Sequence, residues 1–170
     1  DSPQDIADGL LAALREGCTE ADIAGIVAYA AALRIARFHT SNEFGDWDTA
    51  LHTFTFANAV HQGLRRIGDR PLHGDAVTPL LRGIFDAAMS VYLDRFLNIP
   101  AARLPEPDGT VAWDPDVLLI ALPGLLDRQQ QVEEAARLVA GHLYVGGSAD
   151  DLLAGLGSAL LREDRDFHTI

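Results

Sequence analysis

The stretch TEADIAGIVAYAAALRIARF, residues 19–38, decides the fold class. Its apolar side chains point in nearly every direction around a helix, and a helix of that kind belongs in the middle of a bundle. Thr19 followed by Asp22 is a typical capping pair for its first turn. Arg34 and Arg37 interrupt the apolar run, which is shorter than the roughly 20 residues that span a membrane. The stretch therefore predicts a buried bundle helix.

Helix signals recur along the whole chain, and strand signals are almost absent. Capping residues precede periodic apolar runs, and glycines or prolines follow them. We expect an all-α fold, a single-domain helical bundle of about six to seven helices over residues 1–170. The first two expected helices run from Pro3 to Glu16 and from Thr19 to about Phe38, and the next two run from a cap at Asp46 or Asp48 to Ile67 and from a cap at Asp75 to about Leu97. A fifth helix starts at Pro115 and is interrupted at Pro123 and Gly124. The last two run from a cap at Asp127 to about Tyr144 and from Ala149 to about Glu163.

Residues 98–115 are the longest irregular stretch and contain four prolines. We expect a connecting loop rather than a domain boundary, because the helices on each side are too few for two separate cores. The chain starts at Asp1 without a methionine and stops abruptly at Ile170, so we expect a piece of a longer protein.

Acidic residues dominate the charge of the chain. The 25 Asp and Glu residues exceed the 13 Lys and Arg residues, and the formal net charge is −12 with neutral histidines. Nucleic acid is therefore not an expected partner, because its phosphate backbone would be repelled. Cys18 is the only cysteine, which excludes an intrachain disulfide and a cysteine-based zinc or iron–sulfur site. We expect a soluble cytoplasmic protein without a membrane segment.

The polar chemistry is concentrated in residues 39–61, HTSNEFGDWDTALHTFTFANAVH. This stretch holds three of the six histidines together with three acids. Imidazole and carboxylate are the ligands of zinc and of non-haem iron, and a set of two histidines and one carboxylate leaves positions open for oxygen or substrate. The candidate metal ligands here are His39, Glu43, Asp48 and His52.

Helix geometry separates these candidates from His61. Asp48 and His52 are four residues apart, so they share a helix face and can orient each other or share an ion. His52 and His61 are nine residues apart, which places them on opposite faces of a regular helix. We therefore predict structural roles for His61 and for the nearby Asn58.

The same residues also have ordinary structural interpretations. Asp46 or Asp48 would cap the third helix, and Glu43 would be a solvated loop acid. His61 would be a buried imidazole with a hydrogen bond to a backbone carbonyl and apolar neighbours around it.

Two further candidate ligands, His142 and His168, lie near the end of the chain. Either one would complete the metal site from a facing helix, as in bundles whose metal sites lie between helices. An isolated histidine is more often structural or exposed than a ligand. No glycine-rich nucleotide loop, HExxH motif, GxSxG elbow or CxxC pair occurs in the sequence.

Residues 37–48, RFHTSNEFGDWD, continue as LHTF at 51–54 and ANAVHQ at 57–62. This run resembles the helical region of bacterial proteins that also carry a Rieske-type ferredoxin domain. More distantly, the histidine-bearing helices resemble questin-oxidase-like helical oxygenases, a family associated with non-haem iron and oxidative ring opening. The resemblance implies a redox or oxygen-dependent function, with electrons supplied by an iron–sulfur domain outside these residues. The chain lacks the two Cys-x-His pairs of a Rieske centre, so it cannot hold a 2Fe-2S cluster itself.

Two functions are expected from these observations. The first is a metal-dependent oxidoreductase or oxygenase domain that holds iron or another transition metal, acts on a small-molecule substrate and works with a Rieske ferredoxin domain in the same or another chain. The alternative is a non-catalytic helical interaction or assembly module, in which the same residues cap helices and fill polar gaps.

Overall fold

The computed structural model describes residues 2–68, 77–97, 100–106, 114–128 and 131–162. Within these ranges it contains seven α-helices and no strand, which confirms the all-α prediction. None of the described helices is both long and apolar enough to cross a membrane. The helices are α1 (Pro3–Arg15), α2 (Glu20–Ala36), α3 (Phe44–Ile67), α4 (Val77–Leu93), α5 (Pro115–Asp127), α6 (Val132–Tyr144) and α7 (Ala149–Leu160), and a 3₁₀ turn (Asp94–Phe96) follows α4.

The chain divides into two compact units, Asp1–Arg103 and Leu104–Ile170. In the first unit α2 is central, because it packs against α1, α3 and α4. In the second unit α5 packs against both α6 and α7. The described residues of each unit contain a separate cluster of buried apolar side chains. That residues 1–170 form one domain stays a prediction.

The apolar stretch of α2 has the central position that its composition predicts. It contributes five buried residues to the core of the first unit, where they join residues of α3 and α4: Ile23, Ala24, Val27, Ala28 and Ala31. Burying apolar surface on several sides of one helix contributes about 25 cal/mol for each Å² removed from water.

Helices α1 and α2 begin with matching capping boxes. The Ser2 hydroxyl accepts a hydrogen bond from the Asp5 amide at 3.2 Å, and the Asp5 carboxylate accepts one from the Ser2 amide at 2.7 Å. Thr19 and Asp22 repeat this exchange, with both distances at 3.1 Å. The exchange satisfies backbone donors that the first turn would otherwise leave unpaired. The hydrogen bonds from Ser2 and Thr19 hold the pKa values of the Asp5 and Asp22 carboxyls below their ordinary value.

The predicted start of α3 is wrong. The helix begins at Phe44 after an N-cap at Glu43, whose carbonyl oxygen accepts hydrogen bonds from the amides of Asp46 and Trp47. Asp46 therefore lies in the first turn, where its charge is favourable beside the positive end of the helix, and Asp48 lies inside the helix. The ring of Trp47 packs edge-on against Phe38, with centroids 4.7 Å apart, and this contact ties the first turn to the end of α2.

Two other predicted boundaries also differ. Helix α5 continues through Pro123 to Asp127, although an interior proline removes one backbone hydrogen bond. Leu118, Leu122 and Leu125 are buried on both sides of the proline, and their packing keeps the segment helical. Asp127 is consequently the last residue of α5 rather than a cap, and α6 starts later, at Val132. The predicted cap Asp75 and the predicted helix end Glu163 lie outside the described residues.

Candidate functional site

Helix α3 brings Asp48 and His52 together on one face, one turn apart. Asp48 Oδ1 lies 3.4 Å from His52 Nε2, and the two side chains are 34% and 56% exposed. The pairing that their four-residue spacing predicts is present, and solvent reaches both groups. An ion or a small molecule could therefore reach them without any rearrangement of the core.

The separation of these two atoms suits a shared metal ion. Two ligand atoms at about 2.1 Å from one ion are about 3.0 Å apart at a right angle and about 3.4 Å apart at a tetrahedral angle. The distance between Oδ1 and Nε2 agrees with the tetrahedral value. It equally suits a surface pair between a carboxylate and a protonated imidazole, which stabilises a helix by only about 0.2 to 0.5 kcal/mol. The pair supplies two ligands, one fewer than a site of two histidines and one carboxylate requires.

His39 lies in the turn before α3, where its ring is engaged by Ser41. The Ser41 amide donates to His39 Nδ1 at 3.1 Å, and the Ser41 hydroxyl lies 2.6 Å from the same nitrogen. Asn42 fixes the turn further by donating from Nδ2 to the His39 carbonyl at 2.7 Å. Because Nδ1 accepts the amide hydrogen, a neutral ring carries its proton on Nε2. Metal binding through Nε2 would require the other tautomer, in which Nδ1 carries the proton. The hydrogen bond from the Ser41 amide to Nδ1 would then be lost.

His142 has a structural position in the second unit, where it is 1% exposed. Its Nδ1 lies 3.2 Å from the carbonyl oxygen of Pro115, and its Nε2 lies 2.9 Å from that of Ser148. A neutral imidazole can donate to only one of these oxygens, whereas a doubly protonated ring can donate to both. In both cases each nitrogen faces a backbone acceptor, so the predicted role of His142 as a metal ligand does not fit this geometry.

Gly147 allows the His142 ring to occupy this position. A Cβ added to Gly147 would lie 2.4 Å from Cε1 of the ring, closer than non-bonded atoms approach. The ring thereby connects the first residue of α5 with the N-cap of α7.

His61 lies against α2 and lines a groove that the sequence analysis missed. The groove has a volume of about 530 Å³ and is also lined by Tyr29 and Arg65. A Cβ added to Gly25 would lie 3.2 Å from His61 Nε2, so the glycine lets the ring approach the α2 backbone. A glycine inside a strongly helical run is a recognised sign of such an approach and could have indicated this groove.

The hydrogen bond predicted between His61 and a backbone carbonyl is not formed within the described part of the chain, and its structural role stays a prediction. The other residue predicted to be structural, Asn58, accepts a hydrogen bond from Gln62 Nε2 at 3.3 Å.

Glu43 is the exposed N-cap of α3 and makes no side-chain capping bond. His168, the last of the candidate ligands, lies outside the described residues. In the ranges that the structure describes, no three His, Cys, Asp or Glu side chains are grouped closely enough to hold a metal ion. Comparison of the chain with protein-family models, with curated proteins and with solved structures found no match.

Proposed function

We propose that this chain is a metal-dependent oxidoreductase or oxygenase domain with a non-haem iron centre at the first half of α3. The observation that carries the proposal is the accessible pair of Asp48 and His52, with a carboxylate oxygen and an imidazole nitrogen 3.4 Å apart. Carboxylate and imidazole are two of the three ligands in a common iron site of oxygenases. The second histidine would be His168, or His39 after release of the Ser41 amide.

The residues of this chain would bind the metal and admit the substrate. Asp48 and His52 would hold iron or another transition metal, which supplies redox chemistry toward oxygen when it is bound. The exposure of both side chains would leave room for a small-molecule substrate beside them. The turn formed by His39, Ser41 and Asn42 would shape the edge of the site.

The proposed partner is an iron–sulfur domain in the same or another chain. The resemblance of residues 37–62 to helical regions that accompany Rieske-type ferredoxin domains supports this partner, because the chain itself cannot hold such a cluster. A cytoplasmic location would suit the exposed thiol of Cys18, since a reducing compartment keeps free thiols reduced.

The test measures metal bound per chain after anaerobic loading with Fe²⁺ and removal of excess metal. We expect stoichiometric iron in the wild-type protein, and a loss of affinity of about tenfold or more in Asp48→Asn and His52→Ala. Co²⁺ loading provides a second readout, because its visible absorption reports the ligand set. Asp86→Asn is the matched control, since Asp86 belongs to an exposed four-residue pair with Arg82 on α4. Wild-type protein that takes up neither metal would overturn the proposal.

A non-catalytic interaction module is the second candidate, because large apolar side chains of the second unit are exposed. Val117 and Ile120 on α5 are 59% and 79% exposed, and Leu153 on α7 is 65% exposed. Exposed apolar surface of this kind marks protein interfaces when it is contiguous. This candidate expects a metal-free wild-type protein that self-associates, and an Ile120→Lys variant that is monomeric by light scattering.

A further inference from the structure

The first unit contains a cleft of about 780 Å³ between α1, α2 and α4. This volume falls in the range of about 300 to 1,000 Å³ that is typical of small-molecule sites. Apolar side chains from all three helices line most of the cleft: Ile6, Leu10, Ile26, Val27, Ala88 and Val91. A largely apolar cleft with a few polar groups is the usual form of a binding site.

The polar lining of the cleft includes two guanidinium groups, those of Arg34 and Arg95. Arg95, in the 3₁₀ turn, lies 3.5 Å from the ring centroid of Tyr92 and 3.9 Å from that of Phe96. It also donates from Nη1 to the Tyr92 carbonyl oxygen at 2.7 Å. Arg34 lines the same cleft, and its charge acts on Asp94, the neighbour of Arg95. Stacking and one backbone bond thus position Arg95, which forms no salt bridge within the described residues.

Two acids lie near these arginines, and both are constrained by other contacts. The Asp5 carboxylate lines the cleft but accepts the Ser2 amide in its capping box. Asp94 is almost fully buried, and its burial raises the pKa of the carboxyl, while the Thr53 hydroxyl and the Arg34 charge oppose that shift. Nε of Arg34 is buried without a hydrogen-bond acceptor in the described structure. Oδ2 of Asp94 is buried without a partner as well, and neither this nitrogen nor this oxygen is accessible to a ligand. Because neither arginine forms a salt bridge within the described residues, the terminal nitrogens of the two guanidinium groups are left for an anion that enters the cleft.

We propose that this cleft binds a small organic acid with an apolar body, such as a medium-chain fatty acid. The carboxylate would lie at Arg34 and Arg95, and the hydrocarbon chain would lie along the apolar walls of α1, α2 and α4. Arginine suits this role because its planar guanidinium can donate two parallel hydrogen bonds to one carboxylate. In a chain whose net charge is −12, most arginines are expected to have an acidic partner. Arg34 and Arg95 form no salt bridge within the described residues of the first unit, which supports an external anion as their partner. This site is independent of the metal proposed at α3.

The test compares three probes with unbranched hydrocarbon chains of nine or ten carbons: decanoate, decanol and decyltrimethylammonium. Isothermal titration calorimetry on the full chain should show saturable decanoate binding, about tenfold or more tighter than that of either other probe. Weak or equal binding of decanoate would overturn the proposal. Preference for the cationic probe would overturn it as well.

Two pairs of variants test the apolar lining and the arginines of the cleft separately. Ala30→Leu fills the apolar part and should weaken decanoate binding about tenfold, whereas Ala36→Leu, also exposed on α2 but outside the cleft, should not. Arg95→Gln should bring decanoate affinity close to that of decanol, whereas the exposed Arg66→Gln should keep the difference. Thermal unfolding of each variant checks its fold. Decanoate affinity that is unchanged in Ala30→Leu and Arg95→Gln would place the ligand elsewhere and contradict the inference.

Discussion

The buried imidazole of His142 faces two backbone carbonyl oxygens, and one of them, that of Ser148, also accepts the Leu152 amide of α7 at 3.1 Å. Replacing it with leucine removes the hydrogen bond that a neutral ring donates to one of the oxygens of Pro115 and Ser148. Loss of one buried hydrogen bond of this kind costs about 0.5 to 1.5 kcal/mol. We expect His142→Leu to lower the free energy of unfolding by at least that amount in urea titrations, while iron loading stays unchanged. His52→Leu on the exposed face of α3 is the control and should change stability by less than about 0.5 kcal/mol. Equal stability of the two variants would contradict a structural role for His142.

Asp94 provides a residue-level prediction of pH dependence. Burial raises its pKa in the folded protein, so its contribution to stability is full at acidic pH and is lost as pH rises through the folded pKa. Asp94→Asn removes this titration and should unfold at a higher temperature than wild type at pH 7. Thermal unfolding between pH 3 and pH 7 should show the two proteins converging at the acidic end. A less stable Asp94→Asn at pH 7 would mean that attraction to Arg34 outweighs the cost of burial.

Single residues were predictable only where their partners are near in sequence. The pairing of Asp48 with His52 follows from four-residue spacing along one helix. The two acceptors of His142 lie 27 and 6 residues away, and no periodic pattern in the sequence indicates them. Distant partners of this kind depend on how helices pack, which a single sequence does not specify.

At the scale of elements, the capping boxes of α1 and α2 are expected to differ in their effect on stability. Loss of a capping hydroxyl costs about 0.5 to 2 kcal/mol. Thr19→Ala should cost more than Ser2→Ala, because α2 packs against three helices and α1 contributes no fully buried residue. Chemical denaturation followed by circular dichroism measures both losses. Ser158→Ala, which removes a hydroxyl from the interior of α7, is the control and should have a smaller effect.

Local rules predicted the cap of α2 at Thr19 but not the start of α3. Aspartate favours N-cap positions, so Asp46 and Asp48 were the natural choices. The contact between Phe38 and Trp47 instead fixes the first turn earlier, at Glu43. Packing between side chains nine residues apart therefore outweighs the capping preference of single residues.

The whole molecule should exchange its amide hydrogens unevenly. Ten buried apolar residues form the described core of the first unit, whereas five form that of the second. Regions with more buried contacts open less often, so amides of α2 should exchange more slowly than those of α6. Hydrogen–deuterium exchange with mass spectrometry, corrected for intrinsic rates, measures this difference. Slower exchange in α6 than in α2 would contradict the prediction.

The all-α class was predictable from helix periodicity and capping residues, whereas the cleft of the first unit was not. Its lining comes from segments separated by as many as 90 positions, from Asp5 to Arg95. Their meeting depends on the order and rotation of three helices. The apolar face of each helix can be predicted from the sequence, but the way in which the three faces enclose the cleft cannot.

The adjacent glycines after α6, Gly146 and Gly147, should differ in how freely they are replaced among related sequences. Gly146 has a φ of +81°, a left-handed conformation that asparagine can also adopt, so it can be replaced on its own. Gly147 is constrained by the ring of His142 instead, because any Cβ would collide with it. Gly147 can therefore be replaced by a residue with a side chain only if His142 is also replaced by a smaller residue. The two positions should covary, and position 146 should drift independently of both.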